Sequence, residues 1–205
     1  MPLYPDNQDT RAQAARIIAA GGVIAYRTDT FYGLGADPLN QSAVRAIRSL
    51  KGREEAKPIL LLISDALEID RFIASHSNRF DRVVEKHWPG PLTLIGVARL
   101  ELPVELTAGS GTIGLRLPAD ENVRALIRMC GGALTATSAN VSGNPPAQSA
   151  AEVEAYFPRG IDLIINGGNV TADKPSTVVD LSTVQPRIIR EGALSKAQLA
   201  ESLFP

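Results

Sequence analysis

The chain has 205 residues, of which 44% are hydrophobic and 21% charged, a composition typical of a globular protein with a substantial core. Lys and Arg total 21 against 22 Asp and Glu, and the resulting net charge of -1 excludes a whole-molecule field that would attract nucleic acid, so any RNA contact must use a local patch. The single cysteine, Cys130, excludes an intramolecular disulfide and a cysteine-only metal site.

The N-terminal segment is polar and has no signal-peptide layout. No apolar run approaches the roughly 20 residues that cross a bilayer. We therefore expect a soluble, cytoplasmic protein that has no membrane partner.

The first predicted elements surround a polar loop. A helix that begins at Asp9 or Thr10 is followed by a short apolar strand over residues 23–26. Residues 28–35, Thr-Asp-Thr-Phe-Tyr-Gly-Leu-Gly, are predicted to form a loop at the end of that strand, where α/β proteins commonly hold their sites. Asn40 is predicted to cap the next helix.

A basic segment follows that helix. Lys51, Arg53 and Lys57 precede the apolar run 59–63. Because Lys and Arg are costly to bury without a partner, an external anion such as phosphate is a natural counter-charge. The alternative is that Lys51 and Arg53 complement a helix C-terminus and that Lys57 lies in solvent. The segment alone leaves both interpretations open.

The rest of the chain alternates between strands and helices. The pattern predicts two short helices over 65–88, a helix over 121–130, a last helix over 195–203, and strands over 92–97, 112–117, 133–137, 162–165, 177–181 and 187–190. A second polar loop, residues 138–146, follows strand 133–137. Because some strands follow each other closely and others are separated by helices, we expect an α/β fold with a mixed parallel and antiparallel sheet flanked by helices.

Several familiar catalytic motifs do not occur in the sequence. There is no Gly-x-x-x-x-Gly-Lys-Ser/Thr loop, and Pro38 stands where a dinucleotide fingerprint needs its third glycine. His76 and His87 do not have metal-ligand spacing, and no Gly-x-Ser-x-Gly elbow supports a serine hydrolase. We therefore expect no protein-built metal site.

Cations and hydroxyls remain as candidate functional groups, mostly at predicted strand ends. They are Lys51, Arg53, Lys57, Arg116, Arg190, Thr30, Thr112, Ser138, Asn140 and Ser176. Such a set suits phosphoryl or nucleotidyl transfer, in which the protein mainly positions reactants and neutralises developing charge. Taken singly, each has a structural alternative: Arg116 as a strand surface residue, Ser176 as a turn hydroxyl and Asn140 as a local Asx-turn.

Four groups of residues follow one another in a recognisable order: residues 28–35, the basic segment 51–58, Ser-Ala-Asn-Val-Ser-Gly at 138–143, and Ser-Thr-Val-Val-Asp at 176–180 with Arg-Glu-Gly at 190–192. In this order they resemble the YrdC/TsaC family over residues 8–195. The resemblance implies one YrdC-like domain, with residues 196–205 as its C-terminal helix and tail. Its twisted mixed sheet would be flanked by helices around a central concave pocket.

The family resemblance also implies an activity. It is that of an L-threonylcarbamoyladenylate synthase, a nucleotidyltransferase that makes threonylcarbamoyl-AMP and pyrophosphate from L-threonine, bicarbonate or CO2, and ATP. The product serves the t6A37 modification of tRNA, so the implied partner is the downstream tRNA threonylcarbamoyl transferase machinery. Mg2+ is expected to arrive with the nucleotide, because it commonly uses substrate phosphates and water as ligands.

Roles for individual residues follow from the same resemblance. The implied catalytic residues are Lys51, Arg53, Ser138 and Asn140. The implied ATP contacts are Arg53, Lys57, Thr112, Ser138, Asn140 and Arg190, and the implied threonine contacts are Thr30, Arg116 and Ser176, with Arg116 on the carboxylate. Arg suits that grip because its guanidinium binds a carboxylate in bidentate fashion.

Two positions depart from the family pattern. Arg27 stands where proline usually precedes Thr-Asp-Thr, and Leu62 stands where many relatives carry a histidine. Two other functions stay open: a YciO-like paralogue, and a module that binds tRNA or double-stranded RNA. The intact Lys-Gly-Arg and Ser-Ala-Asn motifs disfavour the first, and the balanced charge disfavours the second.

Overall fold

The computed structural model describes residues 3–52 and 58–204. Within these ranges the strands are β1 (Leu3–Pro5), β2 (Ile24–Arg27), β3 (Tyr32–Gly35), β4 (Leu61–Ile63), β5 (Leu92–Val97), β6 (Thr112–Arg116), β7 (Ala133–Thr135), β8 (Thr137–Ser138), β9 (Leu163–Asn166), β10 (Thr177–Asp180) and β11 (Arg187–Arg190). The helices are α1 (Gln8–Ala19), α2 (Gln41–Leu50), α3 (Ile69–Phe72), α4 (Asn78–His87), α5 (Val104–Thr107), α6 (Glu121–Met129), α7 (Ala150–Tyr156) and α8 (Lys196–Leu203), with a 3-10 turn at Ala66–Glu68.

Side-chain caps set the starts of most helices. Asn40 caps α2 as predicted, and Ser195 caps α8 in a reciprocal capping box with Gln198. The predicted start of α1 at Asp9 or Thr10 was wrong. Asn7 caps this helix by accepting the backbone N–H of Thr10 at 2.9 Å, which leaves Asp9 in the first turn, where its charge complements the helix dipole.

The strands form two mixed sheets. One has the order β1-β9-β2-β3-β8 and the other the order β11-β10-β5-β6-β4-β7. The closely spaced strands pair in antiparallel fashion, β5 with β6 and β10 with β11, while β10 pairs in parallel with β5, and β4 with β6. The mixed α/β fold predicted from the sequence is confirmed, and its strands are distributed over two sheets.

The second half of the predicted loop over residues 28–35 is a strand. Its residues Tyr32 to Gly35 form β3, which pairs with β2 in antiparallel register. Tyr32 and Leu34 are fully buried, and a Cβ at Gly35 would lie 2.7 Å from the ring of Tyr26. Pairing and burial therefore outweigh the low strand propensity of glycine. Only residues 28–31 remain as a loop.

The predicted strand 133–137 is divided between the two sheets at Ala136. Its first part, β7, pairs with β4, and its second part, β8, pairs with β3. Thr135 stabilises this crossing, because its Oγ1 accepts the backbone N–H of Ala36 at 2.8 Å. The crossing brings the two sheets together beside Ser138.

Helices cover both sheets and bury two hydrophobic clusters. Buried residues of α1 and α6 pack with Ile24 and Leu163 in the smaller cluster. The larger cluster includes buried residues of α2, α4 and α7, and also Leu199 and Leu203 of α8. The C-terminal helix therefore packs on the same core.

Strand β1 and helices α5 and α7 were not predicted from the sequence.

Candidate active site

A cavity of about 600 Å³ lies where the two sheets converge. Its wall contains many of the predicted site residues, namely Thr30, Thr112, Arg116, Ser138, Ser176 and Arg190. Apolar side chains form much of the remaining wall, among them Pro58, Ile59, Leu60, Leu62, Ile95 and Val178. A concave, mostly apolar cavity with a few converging polar groups is typical of a small-molecule site.

Arg116 lies at the end of β6 and is 4% exposed. Its Nη1 donates to Thr30 Oγ1 and its Nε to the carbonyl of Gly90, each at 3.1 Å, and its Nη2 forms an ion pair with Asp29. A guanidinium has about five N–H donors. The contacts within the described residues therefore fix the side chain and leave donors for a bound carboxylate.

Arg190 and Ser176 form a second polar group at the cavity. Arg190 Nη2 donates to the carbonyl of Ser176 at 2.9 Å, and the Ser176 hydroxyl lies 2.9 Å from that of Thr93. Burial and the positive charge of Arg116 lower the pKa of Arg190. The two guanidiniums thus repel each other, and a bound anion would relieve that repulsion.

The chain after β11 keeps Arg190 beside Ser176. Thr177 Oγ1 accepts the backbone N–H groups of Gly192 at 2.9 Å and Leu194 at 3.0 Å. A Cβ at Gly192 would lie 2.2 Å from the carbonyl oxygen of Pro175. Only glycine permits this approach, which explains the Arg-Glu-Gly motif in structural terms.

Lys51 and Asn140 lie behind the cavity wall. Lys51 is 2% exposed at the C-terminus of α2, and its Nζ donates to the Ser138 carbonyl at 2.6 Å and to Asn140 Oδ1 at 3.1 Å. The Asn140 amide donates to the carbonyls of Val141 at 2.9 Å and Asn144 at 2.7 Å. These contacts hold the loop that carries Ser138.

The other residues singled out from the sequence have different positions. Arg53 and Lys57 lie outside the described residues. Leu62 is on the cavity wall. Arg27 is not on that wall; it donates to Asp120 at 2.8 Å, and both residues line a second hollow.

Sequence reasoning missed three polar partners in the site: Asp29, Gly90 and Thr93. Asp29 lies inside the Thr-Asp-Thr motif. Its role could have been found from Arg116, because a buried arginine needs an acidic partner. Thr93 is a hydroxyl residue in the otherwise apolar strand β5, and it is 1% exposed. A buried polar residue in an apolar strand usually has a hydrogen-bond partner, and this could have singled it out.

Other chemistries find no support in the described part of the chain. It contains no group of three or more His, Cys, Asp and Glu side chains arranged to hold a metal ion. Burial raises the pKa of the Cys130 thiol to about 12, which keeps it protonated and poorly nucleophilic. None of the described helices combines the length and apolar character needed to cross a membrane.

The fold and the cavity define a class of protein. It is an α/β protein that places two arginines and several hydroxyls around a cavity at the junction of two mixed sheets. Such a site binds and positions its reactants by charge and hydrogen bonding.

Comparisons with known proteins agree with this class. A sequence model of the Sua5/YciO/YrdC family, described as "Telomere recombination", matches residues 16–192. The threonylcarbamoyl-AMP synthase of Thiobacillus denitrificans is 39% identical over 163 residues, covering 80% of this chain and 86% of that protein. The chain belongs to the Sua5/YciO/YrdC family.

Solved structures support the same assignment. The structure of Pyrococcus abyssi Sua5 complexed with L-threonine has a TM-score of 0.95 and 30% identity, and it covers all of this chain. This chain spans 61% of that Pyrococcus protein. The structure of E. coli YciO has a TM-score of 0.85 and 29% identity, with 98% of both chains covered.

Proposed function

We propose that the protein is an L-threonylcarbamoyladenylate synthase. It forms threonylcarbamoyl-AMP and pyrophosphate from L-threonine, bicarbonate or CO2, and ATP. The observation that carries the proposal is the convergence of Arg116, Thr30, Ser176 and Arg190 on one cavity. The names of the relatives supply the substrates, and the polar groups of the cavity support the assignment of threonine and ATP to it.

Threonine occupies the Arg116 side of the cavity. Its carboxylate accepts the guanidinium N–H groups that Asp29, Thr30 and Gly90 leave free. Thr30 and Ser176 provide hydroxyls for the amino and hydroxyl groups of the substrate. The burial of Arg116 strengthens this contact, because few waters compete for the guanidinium.

ATP occupies the side of Ser138, Thr112 and Arg190. Arg53 and Lys57 bind its phosphates from the basic segment, and Lys51 and Asn140 act by holding the loop of Ser138. No carboxylate lines the described part of the cavity wall. Any Mg2+ would therefore be held by the nucleotide phosphates and water, and would neutralise their charge.

The reaction follows from these positions. The threonine nitrogen adds to the carbon of CO2 and loses a proton, which gives a carbamate. A carbamate oxygen attacks the α-phosphorus of ATP, and the bond from that phosphorus to the bridging oxygen breaks with its electron pair leaving on pyrophosphate. Arginine and lysine charges stabilise the leaving group, and the enclosed cavity protects the carbamate from water.

The wider assignments belong to the same proposal. Residues 8–195 form a single domain with residues 196–205 as its C-terminal helix and tail, since Leu199 and Leu203 are part of the larger core. The protein acts in the cytoplasm as a nucleotidyltransferase. Its product passes to a tRNA threonylcarbamoyl transferase, with or without direct contact to tRNA.

The decisive experiment follows pyrophosphate release from ATP and bicarbonate with and without threonine. We expect release only when threonine is present. Arg53→Ala should lose this activity and keep the wild-type circular dichroism spectrum, because it removes charge rather than core packing. Pyrophosphate release that does not require threonine would reject the proposal and favour a YciO-like paralogue.

A further inference from the structure

An ion pair between Arg27 and Asp120 lies away from the cavity wall. Arg27 Nη1 donates to Asp120 Oδ2 at 2.8 Å, and Asp120 is the one hydrogen-bond partner of this guanidinium within the described residues. Gly167 makes room for the arginine stem, because a Cβ there would lie 3.0 Å from Arg27 Cβ and 3.1 Å from Arg27 Cδ. Neither charged residue has a role in the function proposed above.

This pair connects the same two segments as the ion pair of Asp29 with Arg116. Arg27 stands two residues before Asp29, and Asp120 stands four residues after Arg116. Each segment therefore carries one positive and one negative side chain, and each charge pairs with its opposite on the other segment. A shift that placed the two arginines side by side would bring like charges together, so the two pairs favour a single alignment of the segments.

The two segments belong to different sheets. Arg27 ends β2 in one sheet, and Arg116 ends β6 in the other. In the described strand orders β2 and β6 are not neighbours, so side chains rather than a ladder of backbone hydrogen bonds connect them here. The cavity lies where these sheets converge. The outer pair, Arg27 with Asp120, and the inner pair, Asp29 with Arg116, therefore both act on the separation of the sheets.

A carboxylate ligand affects the two pairs differently. When it binds Arg116 it shares that guanidinium with Asp29, and repulsion between the two carboxylates weakens the inner pair. The outer pair does not line the described cavity wall, so the ligand takes no part of its charges. The outer pair therefore keeps its strength in the complex, when the inner pair loses some of its own.

We propose that Arg27 and Asp120 are positioning residues, whose ion pair holds the two sheets in alignment while the carboxylate of the amino-acid substrate occupies Arg116. This inference rests on the proposed function for its ligand. It gives a role to Arg27, at which the chain departs from the family pattern. In the free protein the inner pair maintains the alignment, and an outer pair whose side chains are 32% and 20% exposed adds little stability.

Binding calorimetry with L-threonine and, separately, with ATP tests the inference on the intact chain. The variants are Arg27→Gln, Asp120→Asn, their combination, and Arg27→Lys. Glutamine removes the charge and keeps most of the stem that packs on Gly167. Asparagine removes the charge and keeps an acceptor for the backbone N–H of Asn122, which Asp120 Oδ1 accepts at 2.9 Å at the start of α6.

We expect each single substitution to weaken threonine binding by about threefold to fivefold and to leave ATP binding within about twofold of wild type. The double variant should show no further loss, because either substitution already removes the pair. Arg27→Lys should keep the wild-type affinity for threonine within about twofold, since lysine still pairs with Asp120.

Arg45→Gln is the matched control. It breaks the partly exposed ion pair of Arg45 with Glu105, which joins two other helices, and neither residue lines the described cavity wall. Its affinities for threonine and ATP should equal those of wild type. The unfolding temperature of the free protein should change little in this variant, in Arg27→Gln and in Asp120→Asn.

Three outcomes would overturn the inference. Additive losses in the double variant would show two separate structural effects. Opposite effects of Arg27→Gln and Asp120→Asn would show only a long-range effect of charge on the ligand carboxylate. Equal weakening of threonine and ATP would show a general distortion of the cavity.

The same measurements separate this inference from the proposed function. Wild type that binds threonine with the expected pattern in the variants but releases no pyrophosphate would reject the proposed function alone. Threonine-dependent pyrophosphate release with an unchanged threonine affinity in Arg27→Gln and Asp120→Asn would reject the inference alone. Wild type that binds no threonine would reject both.

Discussion

The two arginines of the cavity differ in how their charges are compensated. Arg116 is buried, paired with Asp29 and held by Thr30 and Gly90. Arg190 is more exposed than Arg116, and the hydrogen bonds of its guanidinium within the described residues go to the carbonyl and hydroxyl of Ser176. One guanidinium is ion-paired and rigidly held, and the other has no carboxylate partner among the described residues.

This difference indicates a division of labour. A rigid, paired guanidinium selects by geometry, which suits the fixed shape of a carboxylate on a small substrate. A more exposed guanidinium without a carboxylate partner acts mainly through charge, which suits a flexible polyphosphate and is more sensitive to salt. The predictions below test this contrast, from the largest expected effect to the smallest.

Arg116→Lys should cause the largest loss. Lysine keeps the charge, but it cannot contact Asp29, Thr30 and Gly90 at once and still bind a carboxylate in bidentate fashion. We expect kcat/KM for threonine to fall by roughly 100-fold with little change in KM for ATP. Steady-state kinetics with each substrate varied in turn measure both values, and an equal change in the two KM values would contradict the division.

Asp29→Asn should convert Arg116 into an uncompensated cation that resembles Arg190. Losing the charged partner of a buried arginine should lower the stability of the free protein by about 2–3 kcal/mol. The released charge should also make threonine more stabilising than in wild type, because the bound carboxylate replaces Asp29. Thermal unfolding with and without threonine measures this, and an unchanged or smaller threonine-induced shift would argue against it.

Arg190→Ala should act on the nucleotide. We expect KM for ATP to rise about tenfold and to become less dependent on ionic strength, since a screened charge has been removed. Arg187→Ala is the matched control, because Arg187 is an exposed arginine on the same strand whose ion pair is with Asp180. A larger effect on threonine than on ATP would assign Arg190 to the other side of the cavity.

Thr93→Val should give the smallest effect. It removes the hydroxyl 2.9 Å from Ser176 without changing the shape of the side chain. We expect KM for threonine to rise about threefold to fivefold because the Ser176 hydroxyl loses a fixed orientation. Thr107→Val, at another buried threonine that does not line the cavity, should leave this KM unchanged.

Local signals explain what could be predicted from the sequence. Three predictions depended only on neighbouring residues. They are the cap at Asn40, the alternation of strands with helices, and the positions of Arg116, Ser176 and Arg190 near strand ends. The short helix α7 was missed because its signal is brief and follows a loop rich in proline and polar residues.

Tertiary pairing decided the features that the sequence did not predict. Residues 32–35 became strand β3 because β2 pairs with them and the core buries their side chains, against the local preference of glycine for a turn. Lys51 donates a hydrogen bond to the carbonyl of Ser138, which lies 87 positions later in the sequence. Through this contact Lys51 stabilises the second polar loop.

The sequence by itself determined which residue types were available for an anion site and which strands and helices would carry them. The tertiary structure alone decided that Asp29 compensates Arg116 across 87 positions and that the Arg190 guanidinium donates to Ser176. The physical reason is distance. Propensities, caps and hydrophobic periods act over a few residues, whereas the charge and the free lone pairs of a side chain depend on partners that only folding brings together.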